Sequence, residues 1–221
     1  MQADKLANNI MNVTPATFVS KGHILLSTAY LAPVEYYVAI AQAETVLIEQ
    51  HEYFQKQTYR SRCKIATANG PMDLSIPVDK STKDFIRDVR ISEHSDWQTH
   101  HWRSIESAYS SSPFFEYYAD DLRPFYEKKC LFLWDFNISI QHKLLELLDI
   151  QPKICFTNEF EHEANNGLQD FRNLIHPKRM PILQHKPYCQ VFEQKFGFIP
   201  NLSIIDLLFN MGNESLLVLE T

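Results

Sequence analysis

The chain has 221 residues, a formal net charge of -6, and fifteen Phe, ten Tyr and three Trp, a length that suits one domain able to bury a core without disulfide or metal staples. It contains five glycines, where average usage of about 7% would give roughly fifteen. They stand singly at Gly22, Gly70, Gly167, Gly197 and Gly212, so neither a Walker A loop nor a G-x-G-x-x-G fingerprint can be written. Residues 1–22 read as an N-terminal extension and 23–221 as the folded domain. The run His23-Ile-Leu-Leu-Ser-Thr28 predicts a buried strand, Pro33 to Ala43 a helix opened by proline, and Thr45-Val-Leu-Ile-Glu49 a second strand. This β-α-β order suggests parallel pairing. Asn69-Gly70, between Arg62–Ala68 and Pro71–Val78, predicts a two-residue type I′ hairpin with Ile65 opposite Leu74 and Cys63 opposite Ile76. Arg62, Lys64, Asp73 and Ser75 then share the outer face. Phe85 to Ser92 reads as a further strand.

From Asp96, a candidate cap, Trp97, His101, Ile105 and Tyr109 recur at helical spacing and end at Ser110-Ser-Ser-Pro113. A second helix is expected from Phe114 towards Lys128 and a third from Leu131 to Leu148. A short strand at Lys153 to Thr157 and an acidic, Asn-rich loop at 158–166 follow. Asn201 to Met211 predicts a final helix, with Asn201 as cap and Gly212 just past its end. The fold class is therefore α+β: a strand-rich first half with the hairpin, a helical second half, and a single compact domain.

Charge distribution argues against nucleic acid as a partner. Residues 51–110 carry nine basic against eight acidic side chains, and 111–170 carry five against eleven, so no basic stripe exists. No run of 18 apolar residues predicts membrane insertion. Residues 1–20 lack the basic and apolar regions of a secretory signal, and the four cysteines form no C-x-x-C pair, which points to free thiols in the cytoplasm.

Five residues stand out as site candidates. Arg60 and Arg62 bracket Ser61 at i,i+2, so on an extended segment both guanidinium groups would face one way and could grip a phosphate or carboxylate; a solvated edge or an ordinary salt bridge is the alternative. His101 could move a proton if its helical face lines a cleft, or be a hydrogen-bonded core residue. Asn137 and Asp206 interrupt apolar stripes and would either bridge elements or face a ligand. His51, Glu52, His94, His100, His101 and the run Glu159-Phe-Glu161-His-Glu163 contain metal-ligand atoms without a recognised spacing, so no metal and no cofactor is expected.

The run Phe54-Gln-Lys56-Gln-Thr-Tyr59-Arg-Ser-Arg62-Cys-Lys-Ile65, the strand Leu74-Ser-Ile-Pro77-Val78, the helix Trp97-Gln-Thr-His-His101 with Tyr109 and Pro113-Phe-Phe115, and Asn137 together resemble the WbqC-like family. The stretches Tyr188–Phe192 and Gly197–Asn210 resemble its Bacteroidetes-type members, and the resemblance runs from about Leu25 nearly to the end. Lys56, Arg62, His101 and Asn137 match family positions. Ser27-Thr28 stands where a Gln-Pro is usual, Ala32 where a Pro is, Tyr59 for an aromatic that is often Trp, and Ser61 for an Asn. Members are often encoded among O-antigen and other surface-polysaccharide genes. The resemblance therefore implies a role in making or modifying those glycans and names no reaction; the leading expectation is a transferase acting on a nucleotide- or lipid-linked sugar, with a nucleotide-sugar or sugar-phosphate substrate, and the alternative is a non-catalytic binding or assembly protein. In the enzyme, Lys56, Arg60 and Arg62 would hold the phosphate or carboxylate, His101 would handle a proton, and Asn137 and Asp206 would orient the sugar or the base. A second copy of the chain or other glycan-pathway enzymes are the expected protein partners.

Overall fold

The computed structural model describes residues 22–79, 84–160 and 167–220; most of the expected N-terminal extension and positions 161–166 of the acidic loop lie outside them. Strand β1 (His23–Ser27) and strand β2 (Thr45–Glu49) pair in parallel, His23 with Thr45 through Ser27 with Glu49. Helix α1 (Val34–Gln42) makes the crossover between them. Val46 and Ile48 of β2 and Ile24, Leu25 and Leu26 of β1 are all buried. That is why both strands read as continuous apolar runs, the pattern of a parallel sheet covered on both faces.

The hairpin is formed by β3 (Arg62–Thr67) and β4 (Gly70–Ser75). Its register differs from the sequence expectation by two residues: Cys63 faces Leu74 and Ile65 faces Met72. The turn centres on Ala68-Asn69, and of Asn69 and Gly70 only Gly70 takes a positive φ, 105°. The Thr67 hydroxyl fixes it by donating to the Gly70 carbonyl at 2.7 Å and accepting from the Asn69 N–H at 3.2 Å. A two-residue shift keeps the faces of the strands unchanged, so Cys63 and Ile65 are buried and Arg62 lies opposite Ser75 on the outer side.

Residues 85–92 do not form the expected strand. Ile86–Asp88 is a 3-10 turn, and isolated bridges join Tyr53 to Phe85, Val78 to Ile91 and Arg90 to Phe132. Ile86, Val89 and Ile91 all point inward, a spacing that a regular strand cannot satisfy.

Helix α2 (Trp97–Tyr109) packs over β3, and the Tyr109 hydroxyl accepts from the Ala66 N–H at 3.2 Å. Asp96 occupies its N-cap position without a side-chain bond. The expected second helix is split into α3 (Phe115–Leu122) and α4 (Pro124–Glu127), with Pro124 starting the second piece. Helix α5 (Leu133–Leu147) is followed by β5 (Lys153–Phe156), which pairs in parallel with β2. Strand β6 (Leu168–Asp170) pairs in parallel with the other edge of β1. The sheet order is thus β5-β2-β1-β6, and the second half of the chain supplies both of its edges.

A short turn of helix, α6 (Glu193–Phe196), precedes α7 (Ile204–Met211). Asn201 does not cap α7. It adopts φ 54° and its Oδ1 accepts the Glu35 N–H at 3.0 Å, capping α1 instead. Backbone bonds from Val34 to Leu202 and from Ile204 to Ala32, both 2.9 Å, clamp the two helix starts together. Helix α1 packs against α7 and the C-terminal α8 (Ser215–Leu219) as well as the sheet, so residues 34–40 are buried all round. Gly212 ends α7 with φ 54°, and a Cβ there would meet the Phe114 ring at 2.7 Å. The whole is one compact α+β domain.

Candidate active site

The chain runs from β1 through β2 to β5 on one side, then returns to place β6 on the other side of β1. In open parallel sheets such a reversal opens a crevice at the carboxyl ends of the strands, where ligands are usually held. Here those ends carry Ser27 on β1, Glu49 on β2 and Asp170 on β6. Glu52 and Arg60 enter from the segment after β2, and Arg172 from the segment after β6.

These side chains form two buried ionic groups. The Arg60 guanidinium donates from Nε to Glu52 Oε1 at 2.8 Å, pairs through Nη2 with Glu52 Oε2, and donates from Nη2 to Ser27 Oγ at 2.7 Å. Ser27 Oγ donates in turn to Glu52 Oε2 at 3.0 Å. Arg172 donates from Nη1 to Glu49 Oε2 at 3.1 Å and from Nε and Nη2 to Asp170. Thr157 Oγ1 and the His51 N–H, at 2.7 and 2.8 Å, fill Glu49 Oε1. Bidentate matching of this kind is what allows charges to be buried.

Between the two groups lies a cavity of about 20 Å³ lined by Ser27, Thr28, Tyr36, Tyr59, Arg60 and Arg172, among others, room for roughly one water-sized group. Thr28 is 1% exposed, and its Oγ1 has no partner among the described residues. Arg60 bonds there through Nε and Nη2. Unpaired buried polar groups are costly unless something outside the protein satisfies them. Two larger hollows, of about 470 and 310 Å³, lie at the end of α5 and beside the start of α2, and half of the residues lining each are exposed.

The six sequence candidates are distributed unevenly around this crevice. Arg60 is in it, 3% exposed and already paired with Glu52. Arg62 is not beside Arg60: it lies on the outer hairpin face, bonded to Ser75 Oγ at 3.2 Å and to Asp73 at 3.3 Å. The two guanidinium groups do not converge because Arg60 precedes β3 and turns under the sheet end. Lys56 is exposed on the turn leading to Arg60. Asn137, fully buried on α5, donates from Nδ2 to the Arg60 carbonyl at 2.8 Å and so fixes the backbone that presents the guanidinium.

His101 and Asp206 lie elsewhere in the core. His101 Nδ1 is 2.9 Å from the Tyr30 hydroxyl, which is 2.9 Å from that of Tyr126. Burial pushes its pKa down to about 4, so the ring is neutral at pH 7. Asp206 Oδ2 accepts from Tyr188 at 2.8 Å and from Gln190 at 3.0 Å. Burial pushes its pKa up to about 6, against the lowering effect of Tyr188, Tyr109 and Gln190. Among the described residues no three His, Cys, Asp or Glu side chains converge to hold a metal ion, and no helix is long and apolar enough to cross a membrane.

Glu49, Glu52, Asp170 and Arg172 escaped the sequence analysis as site residues. The available signal was positional: each lies at or just beyond the end of a strand that the β-α-β pattern, followed to its switch point, directs to the crevice.

A comparison with known families places this geometry. A model of the WbqC-like protein family matches residues 28–176, a span that opens at Thr28 in the cavity and closes four residues after Arg172. The Uncharacterized protein Rv1507c of Mycobacterium tuberculosis is 24% identical over 220 residues, covering 86% of this chain and 94% of that protein. No solved structure matches the chain. With the family match covering β2, the hairpin, β5, β6 and the crevice residues from Thr28 to Arg172, the chain belongs to the WbqC-like protein family.

Proposed function

We propose that this protein is an enzyme of surface-polysaccharide synthesis, a transferase acting on a nucleotide- or lipid-linked sugar, and that the switch-point crevice is its substrate site. One observation carries this most strongly: a preorganised ionic cluster surrounds a cavity into which the buried Thr28 side chain is set with its Oγ1 lacking any partner among the described residues. A purely structural cluster would satisfy its own donors. Arg60 and Thr28 receive an oxygen of the sugar, and Lys56 meets the anionic group at the mouth. Asn137 acts through the Arg60 carbonyl as a positioning residue. His101 and Asp206 hold the helical layer over the sheet. The surface-glycan setting rests on what the family resemblance implies, and the transfer chemistry on the Arg-and-carboxylate surroundings, which offer directional bonds to a polar donor.

A thermal-shift screen with nucleotide sugars and acyl donors tests this. Wild-type protein is expected to be stabilised by at least one nucleotide sugar, with the shift reduced in Lys56→Ala, an exposed position where folding is unaffected. Arg62→Ala separates the crevice from the hairpin face: an equal loss there would move the site onto the hairpin. The competing function, a non-catalytic assembly protein of the same pathway, is favoured by the internal bonds that occupy His101 and Asn137. It predicts no small-molecule shift and copurification with glycan enzymes.

A further inference from the structure

The inner crevice contains two guanidinium groups, Arg60 and Arg172, and three carboxylates, Glu49, Glu52 and Asp170. Its formal balance is one negative charge in excess, and the cavity between the groups admits a single water-sized atom group. A phosphate dianion does not belong there: it would add charge of the majority sign to a buried site. The mouth is different. Lys56, Lys178 and Arg179 are exposed and have no acidic partner among the described residues. Lys178 Nζ donates to Gln57 Oε1 at 3.1 Å, which brings it to the turn that carries Lys56. His176 Nδ1 accepts from the Lys178 N–H at 3.1 Å. Its pKa is lowered by burial first and then by the charges of Arg179, Lys178 and Arg60; the Arg179 N–H donates to the His176 carbonyl at 2.9 Å, and the preceding Ile175 lines the cavity.

We propose that His176, Lys178 and Arg179, with Lys56 on the adjoining turn, form an anion subsite for the diphosphate of an activated sugar, while the cavity behind takes an uncharged oxygen of that sugar. This deepens the transferase function and rests on it. The division of labour is physical. Exposed cations without an acidic partner among the described residues bind a diphosphate without the cost of burying it, and the matched inner cluster offers directional bonds to a neutral group. It also explains why no glycine-rich phosphate loop is needed: side chains supply the donors.

The test is titration calorimetry of the full chain with inorganic pyrophosphate, comparing wild type, the double variant Lys178→Ala/Arg179→Ala, and Arg62→Ala. Loss of charge-assisted bonds in the double variant is expected to weaken binding about tenfold or more, with Arg62→Ala unchanged. In parallel, NMR titration of the His176 ring is expected to show its pKa rising when pyrophosphate binds, because an anion reverses the field of the lysine and arginines. Equal affinity in wild type and the double variant, or a His176 titration that does not move, overturns the subsite. Uridine diphosphate and geranyl diphosphate distinguish the two sources of the diphosphate, each supporting the subsite when its binding is lost in the double variant. If pyrophosphate fails to bind while a nucleotide sugar still raises the melting temperature, the subsite falls and the transferase function stands; if neither binds, both fall.

Discussion

The crevice at the sheet ends and the polar cluster under the helices are both buried, yet they solve burial by different chemistry. In the crevice each carboxylate faces a guanidinium: Glu52 has Arg60, and Glu49 and Asp170 share Arg172. Under the helices no such match exists. Asp206 is met by the Tyr188 hydroxyl and the Gln190 amide, His101 by the Tyr30 hydroxyl. Neutral partners cannot offset desolvation of a charge, so the Asp206 pKa rises to about 6 and that of His101 falls to about 4. The difference separates two uses of buried polarity. The matched cluster is paired and directional and sits beside a Thr28 hydroxyl with no partner among the described residues, whereas the helical cluster ties elements together through neutral bonds and leaves Asp206 Oδ1 without one.

The largest effect expected from breaking this contrast is at Arg60. Arg60→Ala leaves Glu52 buried without its cation and should cost about 3–5 kcal/mol in urea denaturation. The apolar pair Arg60→Met/Glu52→Leu should recover much of that loss while abolishing ligand binding. Next is the pH dependence of the helical cluster. The Asp206 carboxyl titrates near 6 in the folded chain against an ordinary 3.8. Its contribution to stability is therefore full below about 3.8 and lost as pH rises through 6, a span of roughly 3 kcal/mol. Asp206→Asn should gain on wild type by up to that amount between pH 4 and 7. His101 runs the opposite way, its folded value near 4 against 6.5, so acidification through that interval removes stability that a neutral replacement keeps. Asn137→Ala deletes the bond to the Arg60 carbonyl and should cost about 1–3 kcal/mol, with ligand affinity falling as well because the guanidinium loses its support. The smallest effect is at the exposed pair of Arg62 with Asp73, where Arg62→Ala should change stability by less than about 1 kcal/mol.

The elements that were legible in the sequence are those whose signals are local. The apolar runs of β1 and β2 on either side of Pro33 announced the parallel unit, and Gly212 marked the end of α7. The hairpin was legible in existence and facing but not in register, because the Thr67 hydroxyl moves the turn back onto Ala68-Asn69. Asn201 was legible as a cap but not as the cap of α1, which starts 167 positions earlier in the chain, the bonded Glu35 lying 166 away. The crevice was the least visible feature. Its bonds join residues 25 apart, as with Ser27 and Glu52, and 123 apart, as with Arg172 and Glu49. No periodicity connects such positions, and β6, which brings Arg172 in, is three residues long. Arg60 was found through its neighbour Arg62, although the partner that matters is Glu52.

Thr28→Val tests the central claim most directly, since it keeps the shape of the side chain and removes only a hydroxyl that has no partner among the described residues. Its melting temperature, measured beside wild type with and without a panel of nucleotide sugars, is predicted to equal or exceed that of wild type without ligand, because an unpaired buried hydroxyl costs about 1–3 kcal/mol. The ligand-induced shift of the wild type is predicted to be lost or strongly reduced. A Thr28→Val protein that keeps the full ligand shift, or a wild type that none of the panel stabilises, would contradict the assignment of the crevice as the site of function.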